Sequence, residues 1–335
     1  MGYSHSGGAA LPDIMPDGSR KFPGQPWGGA PREWPGKAVS KLPDYEMPRF
    51  DGIGANEYIV TTAHNVCDFI SAVDTPAIWE LNIWYHTLNC GMTTRISGET
   101  DFPCIYGDRV GLGRIYVQLD KGQELTYDTW IEGLRDGRSY CGDGLSHILD
   151  FKVDEVSVGQ QNADSPLSTL KLEAPKTVNV TFNAAALLEE TPTELTESIR
   201  NKRLDEKPYW HLERCRLGNS RDVPVEIVVN GEVVATKNLV ADGHVESMSF
   251  QIEIAQSSWV AVRILPSVHT NPVFVQVGDK TIRASRRSAE WCQKAVKVCW
   301  EAKQNNIRAE EREAAKLAYD QAEAIYAKIR EEATE

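Results

Sequence analysis

Four residues of this chain have the donor types of a metal site: His5, Glu57, His64 and Asp101. His5 stands ahead of a glycine-rich stretch, and Glu57 precedes His64 by seven positions. His64 and Asp101 each follow a run of strand-like composition. Imidazole and carboxylate at strand ends suit a divalent cation, which lowers the pKa of bound water. Arg95 and Arg109 are the cations available for an anionic substrate group, although arginines of a solvated surface are commoner. A lone histidine is more often a satisfied core or surface residue than a ligand, so the four count only as a set. Of the other histidines, His86 sits beside Trp84 and reads as structural, as do His211, His244 and His269 in a β-rich stretch. His147 falls at an expected domain junction, where loops face pockets. No G-x-S-x-G elbow, P-loop or G-x-G-x-x-G fingerprint occurs, which leaves serine-nucleophile and nucleotide chemistry without a motif.

The elements that must position these groups centre on residues 79–101. Trp79, Ile83, His86 and Leu88 fall at helical spacing, Gly91 is a helix stop, and Thr93 to Ser97 has strand composition. An acidic loop ending in Asp101 follows, at the strand end where α/β proteins place chemistry. Residues 6–54 hold eight of the 17 prolines and predict a loop without regular structure. Residues 56–61 read as a buried strand and 65–71 as a helix. Strand 114–119 and helix 126–135 come next. From about residue 150 the pattern alternates, with strands predicted at 169–173, 178–182, 210–217, 248–254, 259–265 and 273–277. Asn230-Gly231 between two β-branched runs predicts a type I′ hairpin. Residues 189–203 read as a polar insertion. The C-terminal part predicts two antiparallel helices, with Trp291, Val298, Leu317 and Ile325 buried.

The chain has 335 residues, enough for more than one domain. Its net charge of −12 argues against a nucleic-acid partner. No run is apolar enough to span a membrane, and the first residues have neither the basic nor the apolar region of a signal peptide. The expectation is a soluble protein acting on a small molecule. Seven cysteines without a C-x-x-C pair exclude the usual zinc-ribbon spacing, and Cys292 and Cys299 read as packed thiols.

Several pieces, in order, resemble the end of the catalytic domain in PHP-type (polymerase and histidinol phosphatase) metallohydrolases of the CehA/McbA-like branch. They are Trp84 to Gly91, then Gly98 to Asp101, then Gly113-Arg114-Ile115-Tyr116-Val117, then Leu134-Arg135-Asp136-Gly137-Arg138-Ser139-Tyr140. The resemblance implies a partial β/α barrel over 1–150, while the alternating strands themselves predict an antiparallel β-sandwich over 151–285 and the C-terminal periodicity an αα-hairpin over 286–335. It implies hydrolysis of an ester, amide or phosphoester by water activated on zinc or manganese. His5, Glu57 and Asp101 match family ligands, and His64 is a fourth metal candidate without a family counterpart. His64 and Asp101 are the catalytic candidates, with His64 as proton carrier. Two family features are missing. Pro103 stands where the family has a histidine, and no H-x-H pair occurs in the 335 residues. The expectation is that the chain is a fragment, that its start is assigned late, or that the site is degenerate, with metal binding and activity weakened or lost in each case. The alternative is a non-enzymatic protein that binds a partner or glycan through the β-sandwich.

Overall fold

The computed structural model describes residues 2–3, 42–45, 47, 57–72, 77–99, 111, 113–161, 165–201 and 208–333, without the side chains of 2, 3 and 77–79. The fold is mixed α/β, with six α-helices among the described residues and several sheets. No sheet among the described residues closes into a barrel. The chain divides into two units. The first takes Met1–Thr94 and Arg283–Glu335, and the second takes most of 95–282. Residues 95–150 thus belong with the β-rich part and not with the N-terminal part.

In the first unit, strand β1 (Gly2–Tyr3) lies parallel to β2 (Phe69–Ser71). Between them is helix α1 (Tyr58–Ala63). This corrects two sequence expectations at once, because 57–61 enters a helix where a strand over 56–61 is predicted, and 69–71 is a strand where a helix over 65–71 is predicted. The cause is local hydrogen bonding combined with distant packing. The Glu57 carbonyl accepts from the Val60 and Thr61 amides, and the Thr61 hydroxyl also donates to it. Tyr58 is buried, with its hydroxyl bonded to Thr87 and Thr94. Asn65 then takes a left-handed conformation, which ends the helical run. Helix α2 (Ala77–Asn89) stops at Gly91, where φ is 87°. Every residue of α2 from Glu80 on is buried, and Trp84 Nε1 donates to the Thr94 carbonyl.

The second unit opens with β3 (Arg95–Ser97), β4 (Arg114–Val117) and helix α3 (Tyr127–Asp136). A reciprocal cap between Thr126 and Thr129 starts α3, and Gly137 ends it at φ 78°. Gly137 is needed for space as well as conformation, since a Cβ there would meet Arg95 Nε at 2.5 Å. Next come β5 (Ser139–Gly142), β6 (Ser146–Val153), β7 (Val156–Ser157), β8 (Thr169–Leu172), β9 (Lys176–Ala186) and helix α4 (Glu194–Arg200). The remaining strands are β10 (Asp222–Val229), β11 (Glu232–Val240), β12 (Glu246–Ile254), β13 (Ser258–Ile264), β14 (Val268–Thr270) and β15 (Val273–Val277). One sheet runs β11-β10-β13-β14-β5-β4, with β15 joined to β13 and to β8; the other runs β12-β9-β6-β7. Along β9, Val178, Val180, Phe182, Ala184 and Ala186 are buried on alternate positions. They share one apolar core with Ile227, Val260, Val262 and Val275 of the other sheet. Residues 210–217 form no strand. A 3₁₀ turn, Leu212–Cys215, stands there, fixed by the His211 ring accepting from the Glu213 amide and by a buried Glu213–Arg216 pair at 2.7 Å.

The chain closes the first unit with α5 (Arg286–Lys303) and α6 (Arg312–Glu332). Ser285 caps α5 through the Ser288 amide. The contacts Gln293–Arg330, Lys297–Glu323 and Trp300–Tyr319 make the pair antiparallel. Trp291 is buried as expected, but Leu317 is 58% exposed and Val298 and Ile325 are only half-buried. The inward face of α6 is Tyr319, Ala322, Tyr326 and Ile329. The tyrosines go inside because their hydroxyls have partners there: Tyr326 Oη donates to the Ile59 carbonyl, and Tyr319 Oη meets Cys299.

Candidate functional site

Of the four proposed metal residues, two are described, and both hold α6 or α5 in place. Glu57 is the N-cap residue of α1 and His64 its C-cap residue, so they stand at opposite ends of a helix, roughly 10 Å of rise apart. Both carboxylate oxygens of Glu57 accept from Lys303 Nζ at 2.7 Å. His64 Nε2 lies 2.8 Å from the Ala318 carbonyl, which fixes that nitrogen as the protonated donor. Neither residue ends a strand. His5, Asp101 and Arg109 lie outside the described residues. Among the described residues no group of three His, Cys, Asp or Glu side chains could hold a metal ion.

Arg95 is also described and is a packing residue of β3. Its guanidinium lies 5.4 Å from the Phe274 ring centre and is buried. Burial pulls its pKa down to about 10, with the Asp136 charge opposing. A buried cation in that position faces protein and not a substrate anion. Cys292 and Cys299 are buried thiols as expected, and Cys90 donates toward Cys292 across 3.9 Å. His86 and His269 are fully buried structural groups. His211 holds the 3₁₀ turn, and His244 is an exposed partner of Asp242.

A concave site does exist inside the second unit. It has a volume of about 320 Å³ and lies between the edge strand β4 and its neighbour β5 in one sheet and β6 of the other, at the small end of ligand-pocket sizes. Register puts Tyr116 directly opposite Tyr140, and their rings stack at 5.0 Å and 14°. His147 meets Tyr116 edge-on at 5.0 Å, and its Nδ1 is 2.8 Å from Tyr140 Oη. Burial and the nearby Arg114 charge lower the His147 pKa, which favours the neutral ring. Burial and Tyr116 push the Tyr140 phenol up. The floor is apolar, with Ile148, Phe151 and Val158. The rim carries Gln118, Arg138 and Asp150. Asp150 accepts from Gln118 Nε2 at 3.3 Å and from Asn183 Nδ2 at 2.9 Å. Arg138 faces Asp120 at 3.3 Å and Asp136 at 3.9 Å.

The sequence pointed to His147 as a pocket candidate, but His147 only backs the cleft through Tyr116 and Tyr140, and those two lining residues were missed. Tyr116 and Tyr140 were visible only as parts of motif pieces, because nothing in the residues states that 114–117 pairs with 139–142. No family model matches the chain, and no curated protein or solved structure matches it significantly.

Proposed function

We propose that the chain is a metal-dependent hydrolase of the PHP type, in which His5 and Asp101 are the remaining ligand candidates. The observation that supports this reading is the element from Ala77 to Ser97. Helix α2 ends at Gly91 and runs on into β3, four residues ahead of Asp101, in the order of the resembling motifs. The parallel pairing of β1, two residues ahead of His5, adds support, since parallel strands need crossover connections of the α/β kind. The donor set fits only in part. Glu57 is committed to Lys303 and His64 to the Ala318 carbonyl, so neither is free to serve as ligand or proton carrier. When bound, zinc or manganese supplies acidified water. The substrate class is a small ester, amide or phosphoester. The second unit fits a β-sandwich, antiparallel except for the β8–β15 pair, because both sheets feed one core.

Metal content measured by mass spectrometry after dialysis against zinc or manganese tests the reading. The wild type should retain metal and hydrolyse p-nitrophenyl esters or phosphoesters slowly. His5→Ala and Asp101→Ala should lose both, while His64→Gln should keep both. Equal metal uptake by the wild type and a His5→Ala/Asp101→Ala variant would overturn it.

A further inference from the structure

We propose that the cleft between β4, β5 and β6 is a carbohydrate-binding site that takes one neutral sugar ring. The inference does not depend on the hydrolase reading. Three observations carry the inference.

The first is composition by position. One wall is the Tyr116–Tyr140 stack and the floor is aliphatic and aromatic, while the rim offers the Gln118 amide and the Asp150 carboxylate. A sugar ring has the same division, with C–H groups on a face and hydroxyls around the edge. An aromatic wall takes the face, and planar polar side chains take the hydroxyls in pairs. Asp150 keeps acceptor capacity after its two hydrogen bonds, since a carboxylate offers about four lone-pair sites.

The second is charge. Arg138 is the cation of the lining, and it already faces two carboxylates, Asp120 and Asp136. Asp150 adds a further negative charge. An anionic ligand would meet no net positive field. A purely apolar ligand would strip water from Asp150 and Gln118 without replacing it. A neutral polyhydroxyl ligand avoids both penalties.

The third is backbone geometry. Asp150 sits at φ 54°, in the left-handed region, where the register of β6 against β9 shifts between Leu149 and Lys152. A bulge of this kind re-aims side chains, and bulges are over-represented at sheet edges and next to active sites. It places Asp150 on the rim of the cleft beside Gln118.

The test uses the full chain and saturation-transfer NMR, with calorimetry, against the methyl glycosides of glucose, galactose, mannose and N-acetylglucosamine. Benzoate and inorganic phosphate serve as anionic controls. At least one glycoside should bind in the millimolar range with transfer strongest at its ring C–H protons, and neither anion should compete. Asp150→Gly removes the carboxylate while suiting the left-handed backbone, so the fold survives and affinity should drop about tenfold or more. Tyr116→Ala, checked for folding by urea titration, should lower it by a similar factor. Absence of binding to every glycoside, preference for benzoate or phosphate, or unchanged affinity in both variants would overturn the proposal.

Discussion

His86 stacks on Trp291 at 4.3 Å and hydrogen-bonds to Ser288 and the Asp44 carbonyl. Burial pulls its pKa from 6.5 to about 3, with the Arg287 charge acting in the same direction and the Asp44 carbonyl opposing. Burial and Arg263 bring His269 to about 3 as well. The unfolded chain takes these protons first as pH falls. Each stabilisation is therefore whole above pH 6.5 and is lost on acidification toward pH 3, at roughly 1.4 kcal/mol per pH unit per histidine. His86→Gln should destabilise near neutrality, and its deficit against the wild type should shrink as urea titrations move down through that window. A constant deficit would show that the folded imidazole is not held neutral. Glu57→Gln leaves Lys303, whose side chain is 9% exposed, without its counter-charge. Loss of about 1–3 kcal/mol is expected, read by chemical denaturation, with no change in metal content. Residue type made Glu57 and His64 conspicuous in the sequence, but their partners lie 246 and 254 positions away. Distance along the chain is what hid the structural role of both.

Elements whose geometry is dictated locally were the legible ones. Asn230 and Gly231 take φ of 53° and 93°, as a type I′ turn requires, and Val229 pairs with Glu232 across it. Asn230 also ties its side chain to Trp259 and Ser258 on β13. Gly231→Ala should cost about 1–2 kcal/mol in denaturant titrations, because an added Cβ is strained at that φ. If the loss is under a few tenths, the turn has relaxed to another type. Helix α2 with its Gly91 stop was readable for the same local reason. Residues 57–71 were not. Tyr58, Ile59 and Val60 have strand-forming side chains, but Tyr326 reaches the Ile59 carbonyl and Lys303 reaches Glu57, so packing overrides propensity. Residues 210–217 alternate like a strand, yet the buried Glu213–Arg216 pair at i, i+3 holds a turn. On α6 the apolar period was read correctly but not its phase, because buried tyrosines displaced Leu317.

Across the whole molecule, the division of the chain follows from strand partners and not from composition. β5 pairs with β14 through Cys141 and His269, which draws 95–150 into the β-rich unit although their sequence pattern is helical and strand-like in turn. A fragment covering 95–282 holds both sheets and the core they share. It should fold alone, with a strand-type circular dichroism spectrum and a single urea transition. A broad, uncooperative transition would mean that the second unit needs the first. Removing 283–335 should have the opposite effect on the remaining helices, since α1 loses Tyr326 and Lys303 and α2 loses Trp291. Fast amide exchange over 57–94 in that truncation, with slow exchange kept in β9 and β13, is the expected pattern. The discontinuous first unit also imposes an order in time. On the ribosome, 57–94 emerge early but cannot bury Tyr58, Ile59 or Leu88 as in the finished fold until α5 and α6 have left the exit tunnel. The β-rich unit has all its strands sooner. The nascent chain therefore carries a completed β core next to an apolar N-terminal segment still waiting for its partners, and that segment is where chaperones should engage during synthesis.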